Sequence, residues 1–120
     1  MAKRVIIVDD MMFMRASLKK IMEAMECEVV GEAENGEQAV EMYKRFLPDI
    51  TTMDITMPVM DGLEALAEIK KINPDAKVII VSAMGQEKNV MKAVQLGAKN
   101  FVIKPFNAEK VKEAVLQIIN

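Results

Sequence analysis

The feature that most constrains this chain is an unbroken apolar run, Val-Ile-Ile-Val, which occurs twice, at residues 5–8 and 78–81. A strand that faces water on one side alternates apolar and polar residues, whereas these runs have no polar face. Both runs therefore predict strands buried on both faces, which is typical of a parallel sheet covered by helices on each side. Three further segments are predicted strands: Glu28–Ala33, whose polar ends suit an edge of the sheet, Ile50–Met53 and Phe101–Ile103.

Between the predicted strands the apolar residues change to helical spacing. The first such stripe shares one helix face and consists of Met14, Leu18, Ile21, Met22 and Met25. The strict alternation of strand and helix, repeated five times, predicts an α/β fold with right-handed crossovers and an open, doubly wound parallel sheet. The other four helical stripes are Ala39, Val40, Tyr43 and Leu47; Leu63, Leu66 and Ile69; Val90 and Val94; and Val111, Ala114, Val115 and Ile118.

Composition limits both the size of the fold and its chemistry. The 120 residues match one domain, so we expect residues 1–120 to form a single unit. The net charge of −2 leaves no basic field for a nucleic-acid backbone. With no histidine and one cysteine, Cys27, zinc sites, Ser/His/Asp triads and Cys/His dyads are excluded. The apolar run after Arg4 is too short for a signal peptide or a membrane span, so we expect a cytoplasmic protein without a membrane partner.

The candidate chemistry lies just after the strands, because ligands of open α/β sheets bind outside the carboxyl ends of the strands. Asp9 and Asp10 follow the first strand, Asp54 the third, Ser82 the fourth and Lys104 the fifth. Carboxylates about 5 Å apart repel by roughly 3 kcal/mol per pair at an effective dielectric near 20, and one lysine offsets only part of this. A divalent cation would relieve the repulsion, and oxygen ligands favour Mg²⁺, which commonly also binds phosphate oxygens.

An aspartate can attack phosphorus, and Asp54 is best placed to do so because it follows a buried, central strand. No loop of the type G-x-x-x-x-G-K-[ST] follows any strand, so the chain is not expected to be an ATPase on its own. Other roles stay open at this point. Asp9 or Asp10 could cap the next helix, Asp54 could form a turn, and a serine or lysine at a strand end is ordinary by itself.

Four segments together resemble the receiver domains of response regulators in two-component signalling: I-I-V-D-D at 6–10, M-D-I-T-M-P-V-M-D-G at 53–62, V-S-A at 81–83 and F-V-I-K-P-F at 101–106. The resemblance extends over essentially the whole chain. With S-A-M-G-Q at 82–86 and no output domain, it is greatest to the family members that act in chemotaxis. These receivers are themselves a standard example of sheet order 2-1-3-4-5 in a flavodoxin-like fold, so the resemblance implies that order here.

The resemblance also implies roles for the acidic residues. Asp54 would accept the phosphoryl group. Asp10 would be a direct Mg²⁺ ligand and Asp9 a ligand largely through water. Asp54 and the main-chain carbonyl of Thr56 would complete the protein's share of the metal site.

Three further residues receive roles by the same resemblance. Ser82 would hydrogen-bond a phosphoryl oxygen and move toward it on activation, and Lys104, before a cis bond to Pro105, would neutralise another. Phe101 stands at the aromatic switch position. Many relatives have Tyr there, so this chain lacks the phenol hydrogen bond while rotation of the ring remains available.

The partners implied by the resemblance are those of a signalling switch. A sensor histidine kinase of the CheA type would donate the phosphoryl group, a FliM-like flagellar switch protein would be the target, and a phosphatase is a further implied partner. The chain would catalyse only its own phosphoryl transfer and dephosphorylation, so we do not expect an enzyme acting on other substrates, and we expect a monomer. The alternative is a stand-alone receiver in a phosphorelay or in a pathway other than chemotaxis.

Three other classes share part of these features. Phosphatases of the haloacid dehalogenase type also use Asp and Mg²⁺, but they place D-x-D after the first strand, whereas Asp9 and Asp10 are adjacent. A flavodoxin-like cofactor carrier needs a first loop that accepts phosphate, which this acidic pair would repel. A purely structural interaction module would not need the acidic cluster.

Overall fold

The computed structural model describes residues 2–119. Within this range five strands and five helices alternate along the chain, as predicted. None of the helices in it is long and apolar enough to cross a membrane. The strands are β1 (Arg4–Val8), β2 (Glu28–Ala33), β3 (Ile50–Asp54), β4 (Val78–Ala83) and β5 (Asn100–Lys104), and the helices are α1 (Met12–Ala24), α2 (Gly36–Phe46), α3 (Gly62–Ile72), α4 (Glu87–Gln95) and α5 (Ala108–Ile119).

The strands form one parallel sheet in the order β2-β1-β3-β4-β5, which confirms the expected topology. The polar-ended strand β2 lies at an edge, as its composition predicted. In the pairing register Val8 lies beside Met53, Asp54 beside Val81, and Ala83 beside Lys104. The carboxyl ends of β1, β3, β4 and β5 therefore finish next to one another along the same rim of the sheet.

The apolar strands are buried on both sides because successive side chains of a strand point to opposite faces. In β1, Ile6 and Val8 belong to the core that includes α2, α3 and α4, whereas Val5 and Ile7 belong to the core that includes α1 and α5. The sheet is thus the middle layer of three. Its strands have no freedom to slide without exposing one of the two cores to water.

Two residues predicted on buried helix faces lie elsewhere. Leu47 is 61% exposed, because α2 ends one residue earlier and Leu47 turns the chain in the left-handed conformation, with φ of 44°. Val94 is 46% exposed. The short helix α4 buries Val90 and Ala93 instead, so its contact face follows the i, i+3 spacing.

Gly62, the first residue of α3, lies directly against the end of β3. A Cβ at this position would overlap the main-chain oxygen of Asp54. The N–H of Gly62 donates to the carbonyl of Ile55 over 2.7 Å. Just before it, the Asp61 carboxylate caps α3 by accepting the N–H of Glu64 over 2.9 Å. The start of α3 therefore holds the backbone segment that carries Asp54.

We expect Gly62→Ala to lower the free energy of unfolding by about 3 kcal/mol, because the added methyl meets a main-chain atom that cannot rotate away. Urea unfolding followed by circular dichroism measures the change. The matched control is Gly31→Ala, whose Cβ would meet the flexible end of Met42 at 3.0 Å, and we expect it to cost less than about 1 kcal/mol. Equal, small losses in the two variants would contradict the close packing described here.

Candidate functional site

Three carboxylates meet at the rim of the sheet where β1 and β3 end. Oxygens of Asp9, Asp10 and Asp54 all lie within 4.8 Å of one another. Asp9 and Asp54 are buried, whereas Asp10 is exposed. The acids that sequence analysis drew from two separate segments are thus brought together in space, with one side of the cluster open to solvent.

Lys104 reaches this cluster from the end of β5. Its Nζ donates to Asp9 Oδ2 over 2.9 Å and lies 3.5 Å from Asp54 Oδ2, and its side chain is only 14% exposed. The opposite oxygens of the two acids are held by main-chain donors. Met11 N–H donates to Asp9 Oδ1 over 2.9 Å, and Ile55 N–H donates to Asp54 Oδ1 over 2.8 Å. Lysine and backbone together fix the orientation of both buried carboxylates.

Neither acid of the first loop caps the following helix. The N-cap of α1 is Met11, and no side chain in the described part of the protein makes a capping hydrogen bond to this helix. The alternative that Asp9 or Asp10 caps α1 is therefore wrong, and both carboxylates belong to the acidic cluster instead.

Ser82 lies near the end of β4 with its hydroxyl directed into the protein. The residue is fully buried, and its Oγ has no hydrogen-bond partner among the described residues. Two other hydroxyls, those of Thr51 and Thr52, are also unpartnered, but they lie near the start of β3. Among the three, only Ser82 stands at the end of a strand that neighbours Asp54.

Two other predicted site residues lie further out. Thr56 is exposed, two residues after Asp54, and its Oγ1 accepts a hydrogen bond from Gln86 Nε2 over 2.7 Å. Phe101 is 46% exposed at the start of β5, in a groove between β5 and α5, and does not belong to the acidic cluster. The Lys104–Pro105 peptide bond is cis, as the resemblance implied.

Arg15 was not predicted as part of the site, but its side chain holds the loop that carries Asp9. This arginine is 8% exposed; its Nη1 donates to the main-chain oxygen of Asp9 over 2.7 Å and its Nε to Glu32 over 3.2 Å. A signal was present in the sequence, because Arg15 stands three and seven residues before Leu18 and Met22 on the buried face of α1. A charge on such a face needs a specific partner, and here the partner is the loop that carries the site.

Comparison with known proteins identifies the family that this site belongs to. Residues 5–116 match the sequence profile described as the response regulator receiver domain. The chain belongs to this family. The receiver domain is 55% identical over 120 residues to the chemotaxis protein CheY of Bacillus subtilis, with 100% of both chains covered. It is 54% identical over 118 residues to CheY of Thermotoga maritima, with 98% of each chain covered.

A solved structure gives the same relationship in three dimensions. The receiver domain superposes on a chain in the crystal structure of the CheX-CheY-BeF3-Mg+2 complex from Borrelia burgdorferi with a TM-score of 0.94. The two chains are 38% identical, and the match covers 98% of this chain and 90% of that one. The chain is thus a CheY-like receiver domain of two-component signalling, in sequence and in fold.

The acidic cluster of the receiver domain is suited to hold a cation. All of its side-chain ligand atoms are oxygens, and two of its three carboxylates, those of Asp9 and Asp54, contact the ammonium group of Lys104. The two buried acids, Asp9 and Asp54, repel each other when both are ionised, and the exposed Asp10 adds a smaller repulsion. The exposed position of Asp10 leaves a side open for water, which small hard cations retain in their shell.

The surroundings of Asp54 raise the pKa of its carboxyl group. Burial, and after it the charge of Asp9, raises the pKa of Asp54 to about 6, although Lys104 and the N–H of Ile55 act in the opposite direction. Burial alone would lower the pKa of Lys104, but its hydrogen bond to Asp9 and the charges of Asp54 and Asp9 raise it. Near neutral pH Asp54 is therefore mostly ionised yet more basic than an exposed aspartate, while Lys104 stays charged.

We expect the variant Asp54→Asn to be more stable than the wild type when metal is removed with EDTA. The folded-state pKa of about 6 lies above the ordinary aspartate pKa of 3.8, so ionisation costs stability in full above pH 6 and progressively less as the pH falls toward 3.8. The variant should gain about 3 kcal/mol at pH 7.5 and about a third of this at pH 4.5, measured by urea unfolding.

The control for this experiment is Asp75→Asn, which removes an exposed carboxylate in the loop before β4, at the opposite end of the strands. It should give the same small change at both pH values. An Asp54→Asn gain that does not depend on pH would contradict the electrostatic account of the site.

Proposed function

We propose that this receiver domain accepts a phosphoryl group on Asp54 from a sensor histidine kinase, in a reaction that requires Mg²⁺. The observation that carries the proposal is the position of the Asp54 carboxylate, which is buried among Asp9, Asp10 and the Lys104 ammonium group. The similar protein from Borrelia burgdorferi is described as a complex with Mg²⁺ and BeF3. A close match in fold to that protein supports the same ion here.

The residues that would hold Mg²⁺ are Asp9, Asp10 and Asp54, together with the main-chain carbonyl of Thr56. The cluster would suit this ion because every side-chain ligand atom is an oxygen, and the exposed Asp10 leaves room for the waters that Mg²⁺ usually keeps. The buried Asp9, already bonded to Lys104, is the acid that would act through water. When bound, the ion supplies positive charge that stabilises the oxygens of the transferring phosphoryl group.

The transfer itself is carried out by Asp54. A carboxylate oxygen attacks the phosphorus of a phosphohistidine, the new O–P bond forms, and the P–N bond breaks with its electron pair going to the imidazole nitrogen. The product is an aspartyl phosphate, and the released imidazole takes a proton from solvent. Lys104, held 3.5 Å from Asp54, stays charged throughout and neutralises a phosphoryl oxygen.

The buried hydroxyl of Ser82 provides the response to the new group. A phosphoryl group adds nearly two negative charges and three strong acceptors at the rim of the sheet. Ser82 Oγ has no partner among the described residues before the reaction, so a hydrogen bond to a phosphoryl oxygen is available to it as a net gain. Movement of Ser82 would favour a different conformation of the loop after β4. Together with rotation of the Phe101 ring, this would change the surface formed by α4, β5 and α5.

We expect incubation with acetyl phosphate and Mg²⁺ to add the mass of one phosphoryl group, detected by intact-protein mass spectrometry. Asp54→Asn should take up none, whereas Asp75→Asn should be labelled like the wild type. EDTA should slow the labelling at least about 100-fold, since the repulsion among the acids is then uncompensated. Label that persists in Asp54→Asn would refute the assignment of the acceptor.

The pathway that we propose is chemotaxis, with a CheA-like kinase as donor and a FliM-like flagellar switch protein as target. The support is the identity of 54–55% over nearly the full length of two chemotaxis proteins CheY. A phosphatase is a further proposed partner, because the similar Borrelia burgdorferi protein was crystallised with CheX. In this role the domain would act as a cytoplasmic monomer and would catalyse only its own phosphorylation and dephosphorylation.

We expect a fluorescent FliM peptide to bind the beryllofluoride-loaded domain at least about tenfold more tightly than the unmodified domain, because the acyl phosphate mimic shifts the population toward the binding form. Fluorescence anisotropy measures both affinities. Asp54→Asn, which cannot form the adduct, is the control and should bind weakly under both conditions. Equal affinity with and without beryllofluoride in the wild type would contradict the proposed target and favour a role in a phosphorelay or in another pathway.

A further inference from the structure

The side chain of Gln86 joins the two loops that flank the acceptor site. Its Nε2 donates to Thr56 Oγ1 over 2.7 Å, and its Oε1 accepts the main-chain N–H of Ala83 over 3.1 Å. Thr56 lies two residues after Asp54 in the loop that follows β3, and Ala83 directly follows Ser82 at the end of β4. One amide thus spans two neighbouring strand ends, which carry the acceptor and the responding hydroxyl.

The start of α4 does not require the side chain of Gln86 to point toward these two loops. Gln86 occupies the N-cap position of α4 but makes no capping hydrogen bond there, so its side chain is directed back across the loops instead. Asn, Asp, Ser and Thr are the residues that usually stabilise this position. The preceding Gly85 has φ of 90°, which favours glycine, and a Cβ added to it would meet no described atom within 4 Å, so the turn between Ala83 and Gln86 is not packed against the rest of the domain at this residue.

The bridge acts on Ser82 through the backbone. Because Ala83 N–H is bonded to Gln86, the segment that carries Ser82 is held where its hydroxyl is buried and without a partner among the described residues. A phosphoryl group on Asp54 brings new acceptors that compete for the donors of this loop. Movement of the Ser82 segment toward them would separate Ala83 from Gln86, so the bridge favours the unphosphorylated arrangement.

We propose that Gln86 is a positioning residue that latches the loop after β4 to the loop after β3 in the unphosphorylated domain. The proposal rests on the proposed phosphorylation of Asp54 and adds a residue that sets how readily the domain activates. Gln86 does not touch the reacting atoms. It acts through Ala83 and Thr56, so its loss should make phosphorylation easier rather than harder.

Two measurements on Gln86→Ala test the latch. The first is hydrogen exchange of the Ala83 amide in the unphosphorylated domain, which reads the bridge directly and should become at least about tenfold faster. The second is the rate of labelling by acetyl phosphate with saturating Mg²⁺, which should rise about fivefold while the Mg²⁺ affinity from calorimetry stays the same. A residue that merely stabilised the fold would slow labelling or leave it unchanged.

The chain offers a matched control and a coupling test. Gln95→Ala makes the same chemical change in the exposed last turn of α4 and should leave both readouts at the wild-type value. Thr56→Val removes one end of the bridge, so the combined effect of Gln86→Ala and Thr56→Val on the labelling rate should be smaller than the product of their separate effects.

The outcomes separate the two proposals. If the wild type takes up no label, the proposed function fails, and the latch fails with it. If the wild type is labelled and Gln86→Ala is labelled at the same rate, or if its Ala83 amide exchanges no faster, the latch alone is overturned. Multiplicative effects of Gln86→Ala and Thr56→Val would also overturn it.

Discussion

The site depends on two apolar cores that hold three carboxylates within 4.8 Å of one another, with the ammonium group of Lys104 in contact with two of them. Such a cluster opposes folding, because burial of Asp54, and after it the charge of Asp9, disfavours the ionised carboxylate and raises its pKa. The fold tolerates the cluster because the acids sit on strand ends whose register is set by two apolar cores. The cluster therefore favours positive charge at one rim of the sheet, which in the proposed function a cation would supply.

The contacts that hold Asp9 and Asp54 differ from those that hold the loop next to Ser82. On the acidic side, Arg15 holds the backbone of Asp9, Gly62 packs against the backbone of Asp54, and Lys104 contacts both side chains. These contacts are largely buried. On the side of Ser82, the supports are the exposed loop at Ala83 and the glutamine bridge. The acidic residues are thus held by buried contacts, whereas the end of β4 is held by the more exposed bridge from Gln86.

Much of this arrangement could be predicted from the sequence, and the reasons for the failures are physical. The apolar runs predicted buried parallel strands, and the rule that such strands end along one rim predicted that Asp9, Asp54 and Lys104 would meet. Helical spacing could not tell where α2 ends, so Leu47 was misplaced. Arg15 and Gln86 were missed because their partners are main-chain atoms or residues distant in sequence, and residue types alone do not reveal such contacts.

The buried hydroxyl of Ser82 lowers the stability of the unmodified fold, and in the proposed function it would also respond to the phosphoryl group. A polar group that is buried without a partner costs about 1–3 kcal/mol, and native folds keep few of them. The hydroxyls of Thr51 and Thr52 are also buried without a partner among the described residues, but they precede Asp54 on β3 itself. At Ser82 the hydroxyl stands beside the strand that ends in Asp54. Under the proposed phosphorylation of Asp54, one added acceptor would satisfy this hydroxyl, and the free energy lost in the unmodified fold would then favour movement of the loop after β4.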